Sequence, residues 1–174
     1  MSSFSCWAGV DVADGHSPEA FVAALRAASD EFLDGTPVRV AVVGRRVFVH
    51  ADFAPHFTAT IADLVAAWGN RAITAADFDE YGVVNEVLGP NGKAVHVASI
   101  SEHEAPLPDG DTPRTRRAAA ELFGVDPAVL DEVSATWAVD GAMPSCPGEP
   151  YLKWWEALGA PWPDDFGERS FDAQ

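Results

Sequence analysis

Residues 83–100 read VVNEVLGPNGKAVHVASI, and this stretch decides the fold expected of the chain. Two runs rich in β-branched residues flank Gly89-Pro90-Asn91-Gly92. In that loop proline presets one backbone angle, whereas asparagine and glycine tolerate positive φ. The pattern therefore predicts a β-hairpin.

A second hairpin is predicted upstream. The runs Val38–Val43 and Val47–Val49 are rich in valine, and Gly44-Arg45-Arg46 separates them. The spacing places the turn at Gly44.

Segments with helical periodicity surround the two hairpins. N-cap residues, first-turn prolines and terminal glycines set their limits. The predicted helices run over 17–32, up to Trp68, from Pro113 to Phe123, from Pro127 to Trp137 and from Tyr151 to Leu158. We also expect a short helical turn from Ala75 to Tyr81, capped by Thr74.

These elements predict an α+β fold, with an antiparallel sheet built from two hairpins and packed against several helices. We expect the helices to cover one face of the sheet. The length favours a single domain, 1–174, with a sheet-containing part over about 1–100 and a helical C-terminal part over about 112–162.

The charge balance restricts the classes of partner. The chain has 27 Asp and Glu against 11 Lys and Arg, a formal net charge of -16. Nucleic acids and anionic membrane surfaces should be repelled, because binding to them depends on cationic side chains. A basic protein should be attracted, although such acidity also serves simply to keep a protein soluble.

We expect no targeting segment and no membrane-spanning segment in this chain. The start, MSSFSCWAG, has neither a basic beginning nor a continuous apolar run, and no stretch reaches 18 apolar residues. Cys6 and Cys146 lie far apart in sequence and form no metal motif. We therefore expect a cytoplasmic protein.

The common catalytic motifs are missing from the sequence. Gly89–Lys93 ends in Gly-Lys but lacks the other residues of a phosphate loop. This favours a non-enzymatic role without a cofactor and leaves an enzymatic one open. The alternative is a small metal-dependent enzyme whose imidazoles and carboxylate come from His50, Asp52 and His96.

The favoured hypothesis is a non-enzymatic acidic binding protein, such as a bacterial immunity protein or antitoxin that masks a basic toxin. A structural or assembly component is a further alternative. The candidate partner-binding residues are surplus carboxylates and two aromatic residues: Asp77, Asp79, Glu80, Glu102, Glu104, Asp109, Asp111, Trp154 and Trp155.

Two clusters allow opposite interpretations. Trp154 and Trp155 belong to a C-terminal aromatic group that either clamps the last helix onto the body or anchors a partner; the clamp is favoured. Arg114, Arg116 and Arg117 either bind an anion or pair with the protein's own carboxylates, and pairing is favoured.

Overall fold

The computed structural model describes residues 4–32, 36–52, 54–78, 82–101, 108–137 and 149–173. Its strands are β1 (Phe4–Val12), β2 (Val38–Val43), β3 (Arg46–Asp52), β4 (Gly69–Phe78), β5 (Val83–Leu88), β6 (Ala94–Ile100) and β7 (Phe171–Asp172). Its helices are α1 (Pro18–Phe32), α2 (Phe57–Trp68), α3 (Pro113–Phe123), α4 (Pro127–Trp137), α5 (Glu149–Ala157) and α6 (Phe166–Arg169).

Within these ranges the strands form one sheet in the order β6-β5-β4-β1-β3-β2-β7, and every pairing is antiparallel. The α+β class with an antiparallel sheet is therefore confirmed. No helix in the described ranges is long and apolar enough to cross a bilayer.

Both predicted hairpins are present. Gly44 turns the chain between β2 and β3 with φ of 61°, and Gly92 does so between β5 and β6 with φ of 72°. A side chain at Gly92 would also collide with the backbone of α2, since an added Cβ would lie 2.2 Å from the carbonyl oxygen of Ala62. Position 92 therefore requires glycine for two reasons, the positive φ of the turn and the close packing against α2.

The hairpins are not neighbours in the sheet, because β4 and β1 lie between them. The helical turn predicted from Ala75 to Tyr81 is wrong: β4 continues to Phe78, and residues 79–81 lie outside the described residues. Thr74 is buried in that strand rather than capping a helix. Pairing with strands on both sides outweighs the local helix preference of the alanines.

The expectation that helices cover one face is also wrong. Helices α1 and α2 pack on one face, where Phe21, Leu25, Phe57 and Ile61 join the valines of β1, β2 and β3. Helices α3, α4 and α5 contribute to a separate core on the opposite face. We call this second face the cleft face, because an open cleft remains beside its helices.

Helix α5 is held on the cleft face by large aromatic side chains. Tyr151, Trp154 and Trp155 are fully buried, and each side chain of this size buries roughly 150 to 250 Å². The indole Nε1 of Trp155 donates a hydrogen bond to Oδ1 of the buried Asn85 on β5, at 3.0 Å. Gly9 on β1 lies beneath the same ring, where an added Cβ would approach Trp155 Cζ3 to 3.0 Å.

Replacing Gly9 with valine should push Trp155 off the sheet. We expect a loss of about 1 to 3 kcal/mol in the free energy of unfolding, the usual cost of overpacking a well-packed core. Chemical denaturation measures it. Gly167→Ala is the control, because nothing lies within 4 Å of a Cβ added there, and it should not lower the stability. Equal midpoints for Gly9→Val and the unsubstituted protein would contradict the packing described.

Candidate functional site

Three charged side chains lie side by side on the cleft face. The antiparallel register pairs Asp11 of β1 with Arg71 of β4 on one side and with Arg46 of β3 on the other. Arg46 donates to both carboxylate oxygens of Asp11, from Nε at 2.6 Å and from Nη2 at 3.0 Å. Arg71 donates from Nε at 2.6 Å. We call these three residues the charged row.

The charged row also binds the helices of the cleft face. Arg71 Nη1 donates to the carbonyl oxygen of Leu122 at 2.6 Å, and its guanidinium carbon lies 4.4 Å from the centre of the Phe123 ring. Arg46 Nη1 donates to the carbonyl oxygen of Gly159 at 3.2 Å. The row therefore connects three strands with the C-terminal end of α3 and with the turn that follows α5.

The carboxylate of Asp11 stays ionised in this setting. Burial opposes its charge, but the hydrogen bonds and charges of Arg46 and Arg71 outweigh burial and hold the pKa of Asp11 below its usual value. The side chains of Asp11, Arg46 and Arg71 are only 16%, 18% and 24% exposed. Solvent screening of these contacts is correspondingly weak.

A cleft of about 1020 Å³ opens above the charged row. Phe48 and the partly exposed Trp162 contribute to its walls. Arg45 also lines it, and its Nη2 donates to three main-chain carbonyls, those of Val12, Ala13 and His16. Three exposed carboxylates line the cleft as well, and we call them the acidic rim: Asp14, Glu156 and Asp164.

A smaller pocket of about 330 Å³ shares Trp162, Pro163 and Asp164 with the cleft. Trp7, His50 and Phe166 line it further. The rings of Trp7 and His50 meet edge to face with their centres 4.8 Å apart. Burial lowers the pKa of His50, and the nearby Arg39 lowers it further against the opposing effect of Asp52. The imidazole of His50 is therefore neutral at pH 7.

A second polar cluster connects β6 with α3 and α4. Asp111 accepts hydrogen bonds from His96 Nε2 at 3.1 Å, from Arg116 Nη1 at 2.6 Å and from Ser134 Oγ at 2.6 Å. Burial opposes ionisation of Asp111, but these bonds outweigh it and keep its pKa below the usual value. Burial also lowers the pKa of His96 despite its bond to Asp111, so a neutral imidazole donates to a carboxylate.

Several predicted partner-binding residues lie inside the protein. Trp154 and Trp155 are fully buried and Asp77 is 6% exposed, so their assignment to an exposed partner surface is wrong. The two indoles fill the core between α5 and the sheet, as the clamp interpretation required. Asp77 raises the pKa of the Tyr151 hydroxyl, adding to the larger effect of burial.

The structure describes only two of the remaining predicted carboxylates. Asp109 is exposed, whereas Asp111 belongs to the cluster with His96. Asp79, Glu80, Glu102 and Glu104 lie outside the described residues.

The predicted metal site does not assemble from His50, Asp52 and His96. His50 and Asp52 lie on β3, and His96 lies on β6, four positions away in the sheet order. Neighbouring strands are about 4.8 Å apart, so roughly 19 Å separates the two strands. One ion cannot bridge that distance. In the described ranges no three His, Cys, Asp or Glu residues are grouped so as to hold a metal ion.

The pairing predicted for the arginines of α3 is confirmed for Arg116. It binds Asp111 and also Asp131, the latter from Nε at 2.6 Å. Arg114 and Arg117 are exposed at the surface.

Sequence reasoning missed the charged row. Its members are 35 and 60 residues apart along the chain, and only the register of β1 brings them together. The available signal was Asp11 itself, a single acid between Val10 and Val12 in an otherwise apolar stretch. Such a charge is retained near a core only when it is paired.

Comparison with known protein families, curated protein sequences and solved structures finds no match to this chain.

Replacing Asp11 with asparagine should leave two guanidinium groups without their shared carboxylate. We expect a loss of about 2 kcal/mol in the free energy of unfolding, below the range for fully buried pairs because the row is partly exposed. Asp165→Asn is the matched control. It removes an exposed ion pair with Arg169, four residues along the chain, and we expect no measurable change. Equal losses in the two variants would contradict a structural role for the row.

The neutral histidines predict a pH dependence of stability. Because the pKa of His96 is lower in the folded protein than its usual 6.5, the unfolded chain takes up a proton at higher pH than the folded one. The free energy of unfolding should fall as the pH drops from about 7 toward the folded pKa, and His50 acts in the same sense.

The variant His96→Gln tests this assignment, since its amide can still donate to Asp111 but does not titrate. We expect a shallower decline for the variant in urea denaturation at several pH values. Stability that does not change over this pH range in the unsubstituted protein would disprove the assignment.

Proposed function

We propose that this is a non-enzymatic acidic binding protein that masks a basic protein partner, in the manner of an immunity protein or antitoxin. The observation that supports the proposal best is the imbalance of exposed charge. Among the described residues, 14 Asp and Glu side chains are exposed against 7 Arg and Lys side chains. An uncompensated anionic field of this kind accelerates encounter with a cationic protein.

The basic side chains contribute less to the outer field than their number suggests. Arg46, Arg71 and Arg116 are bound to carboxylates inside the protein. Arg169 pairs with Asp165 on the surface, and Arg45 donates to main-chain carbonyls and pairs with Asp14 at 3.7 Å. Few cations remain that would repel a basic partner.

The acidic rim supplies a place for contact. Asp14, Glu156 and Asp164 line one open cleft together with Trp162. Tryptophan is one of the residue types that dominate binding energy at interfaces, and carboxylates around the partly exposed Trp162 would select a partner of opposite charge.

The test begins with capture of a partner from the native host, followed by purification of that partner and measurement of its association rate. We expect a basic protein whose association slows by about tenfold or more between low salt and about 0.5 M salt, because screening shortens the reach of surface charge. A captured protein that is not basic, or a rate independent of salt, would refute the proposal.

A pair of triple variants then locates the contact. Asp14→Asn with Glu156→Gln and Asp164→Asn neutralises the acidic rim. Asp63→Asn with Glu121→Gln and Glu132→Gln makes the same change of net charge at exposed positions that do not line the cleft. We expect faster dissociation of the captured partner only from the rim variant. Equal dissociation rates would place the interface elsewhere.

A further inference from the structure

The cleft contains charges of both signs, and apart from the exposed ion pair of Arg45 with Asp14, whose atoms lie 3.7 Å apart, they occupy separate positions. Arg46 and Arg71 lie on its floor with Asp11, and the acidic rim lies in solvent. Two guanidinium groups share one carboxylate in the charged row, so the floor retains a net positive charge.

The floor also retains hydrogen-bond donors. A guanidinium carries five N–H groups, and Arg71 uses Nε for Asp11 and Nη1 for Leu122. Its Nη2 has no hydrogen-bond partner in the described part of the chain. An anion in the cleft therefore meets donors to which the described residues offer no acceptor.

These donors are held in place before any ligand arrives. Asp11 and the carbonyl oxygens of Leu122 and Gly159 fix the two guanidinium groups. Binding an anion there costs little side-chain entropy, and hydrogen bonds between charged groups are about twice as strong as neutral ones.

The rim selects what kind of anion can enter. Glu156 and Asp164 repel a ligand that carries only negative charge, and the net charge of -16 acts in the same direction. Asp14 adds less to this repulsion, because Arg45 is its ion-pair partner. A ligand with a cationic group beside its carboxylate is attracted both by the guanidinium groups of the floor and by the acidic rim. The cleft volume of about 1020 Å³ lies at the upper end of the range for small-molecule sites, roughly 300 to 1,000 Å³.

We propose that the cleft binds a zwitterion: a carboxylate against Arg71 and Arg46, and a cationic side chain against the acidic rim. The ligand class is a basic amino acid, either free or as the carboxyl-terminal residue of a chain. This goes beyond masking of a basic partner, which needs only surface charge and no occupant in the cleft.

A matched pair of peptides tests the inference. One is acetyl-Gly-Ser-Gly-Lys-Arg with a free terminal carboxylate, and the other is the same peptide with a terminal amide. Simple attraction to an acidic protein favours the amide, which carries one more net positive charge. The cleft should reverse this order, with the free carboxylate binding at least about tenfold tighter in calorimetric titration.

Amide binding as tight as that of the carboxylate would overturn the proposal, and so would the absence of binding by both peptides at millimolar concentration. Arg71→Gln should abolish the preference for the carboxylate while the rim still attracts the cationic side chains. If that variant does not fold, the peptide pair on the unsubstituted protein decides. Because the acidic rim binds the cationic side chains of the ligand, we expect the rim triple variant to lose peptide binding and the control triple variant to keep it. Equal peptide affinities of the two triple variants would overturn the proposal.

L-arginine and L-argininamide distinguish the two sources of the ligand. A preference for L-arginine shows that a free amino acid suffices. A preference seen only with the peptides assigns the site to a chain end. Either result is compatible with the presence or absence of a captured basic partner, so this inference and the proposed function fail independently.

Discussion

The register of β1 between β3 and β4 is the constraint on which the rest of the structure depends. It places Asp11 between Arg46 and Arg71, and it places Gly9 under the indole of Trp155. A slip of one residue would turn the alternate side chains of β1 to the opposite face. Asp11 would then enter the apolar core beneath α1 and α2 without a partner, at a cost of several kcal/mol for an unpaired buried charge. The register is therefore fixed by charge on one face and by apolar packing on both.

Three of the few basic residues of this acidic protein are paired inside it. Arg46 and Arg71 connect strands that are distant in sequence by pairing with the partly buried Asp11, and Arg116 of α3 pairs with the partly buried Asp111 and with the exposed Asp131 of α4. Exposed ion pairs such as Asp165 with Arg169 contribute little in comparison. Placing cations inside stabilises the fold and at the same time leaves the exterior anionic. The ion pairs inside the protein and the negative potential at its surface thus follow from the same distribution of charge.

The sequence predicted the parts of the fold that local chemistry determines. Gly44 and the Pro90-Asn91-Gly92 loop predicted the two hairpins, and capping residues such as Thr112 predicted where the helices begin. Strands β1 and β4 were missed, because Ala, Gly, Cys and Thr weaken the β signal and only pairing on both sides makes these segments extended. The charged row could not be predicted, since three residues meet through a register that periodicity does not specify. The two-sided packing of helices was missed for a related reason: alternation in a strand does not tell which helices cover each face.

Most of the opposite charges in the cleft remain apart, although Arg45 and Asp14 form an exposed ion pair. The guanidinium groups of Arg46 and Arg71 are already held by Asp11 and by main-chain carbonyls. The rim carboxylates Glu156 and Asp164 are exposed, and closing onto the floor would bring them at most about 1 kcal/mol as surface ion pairs while removing their hydration. The fold therefore keeps the guanidinium groups of Arg46 and Arg71 apart from Glu156 and Asp164, although both groups face the same cleft. A ligand is attracted by the floor and by the rim only if it carries a negative and a positive group. The charged row, which the register of β1 assembles, therefore makes the cleft discriminate against simple anions and simple cations.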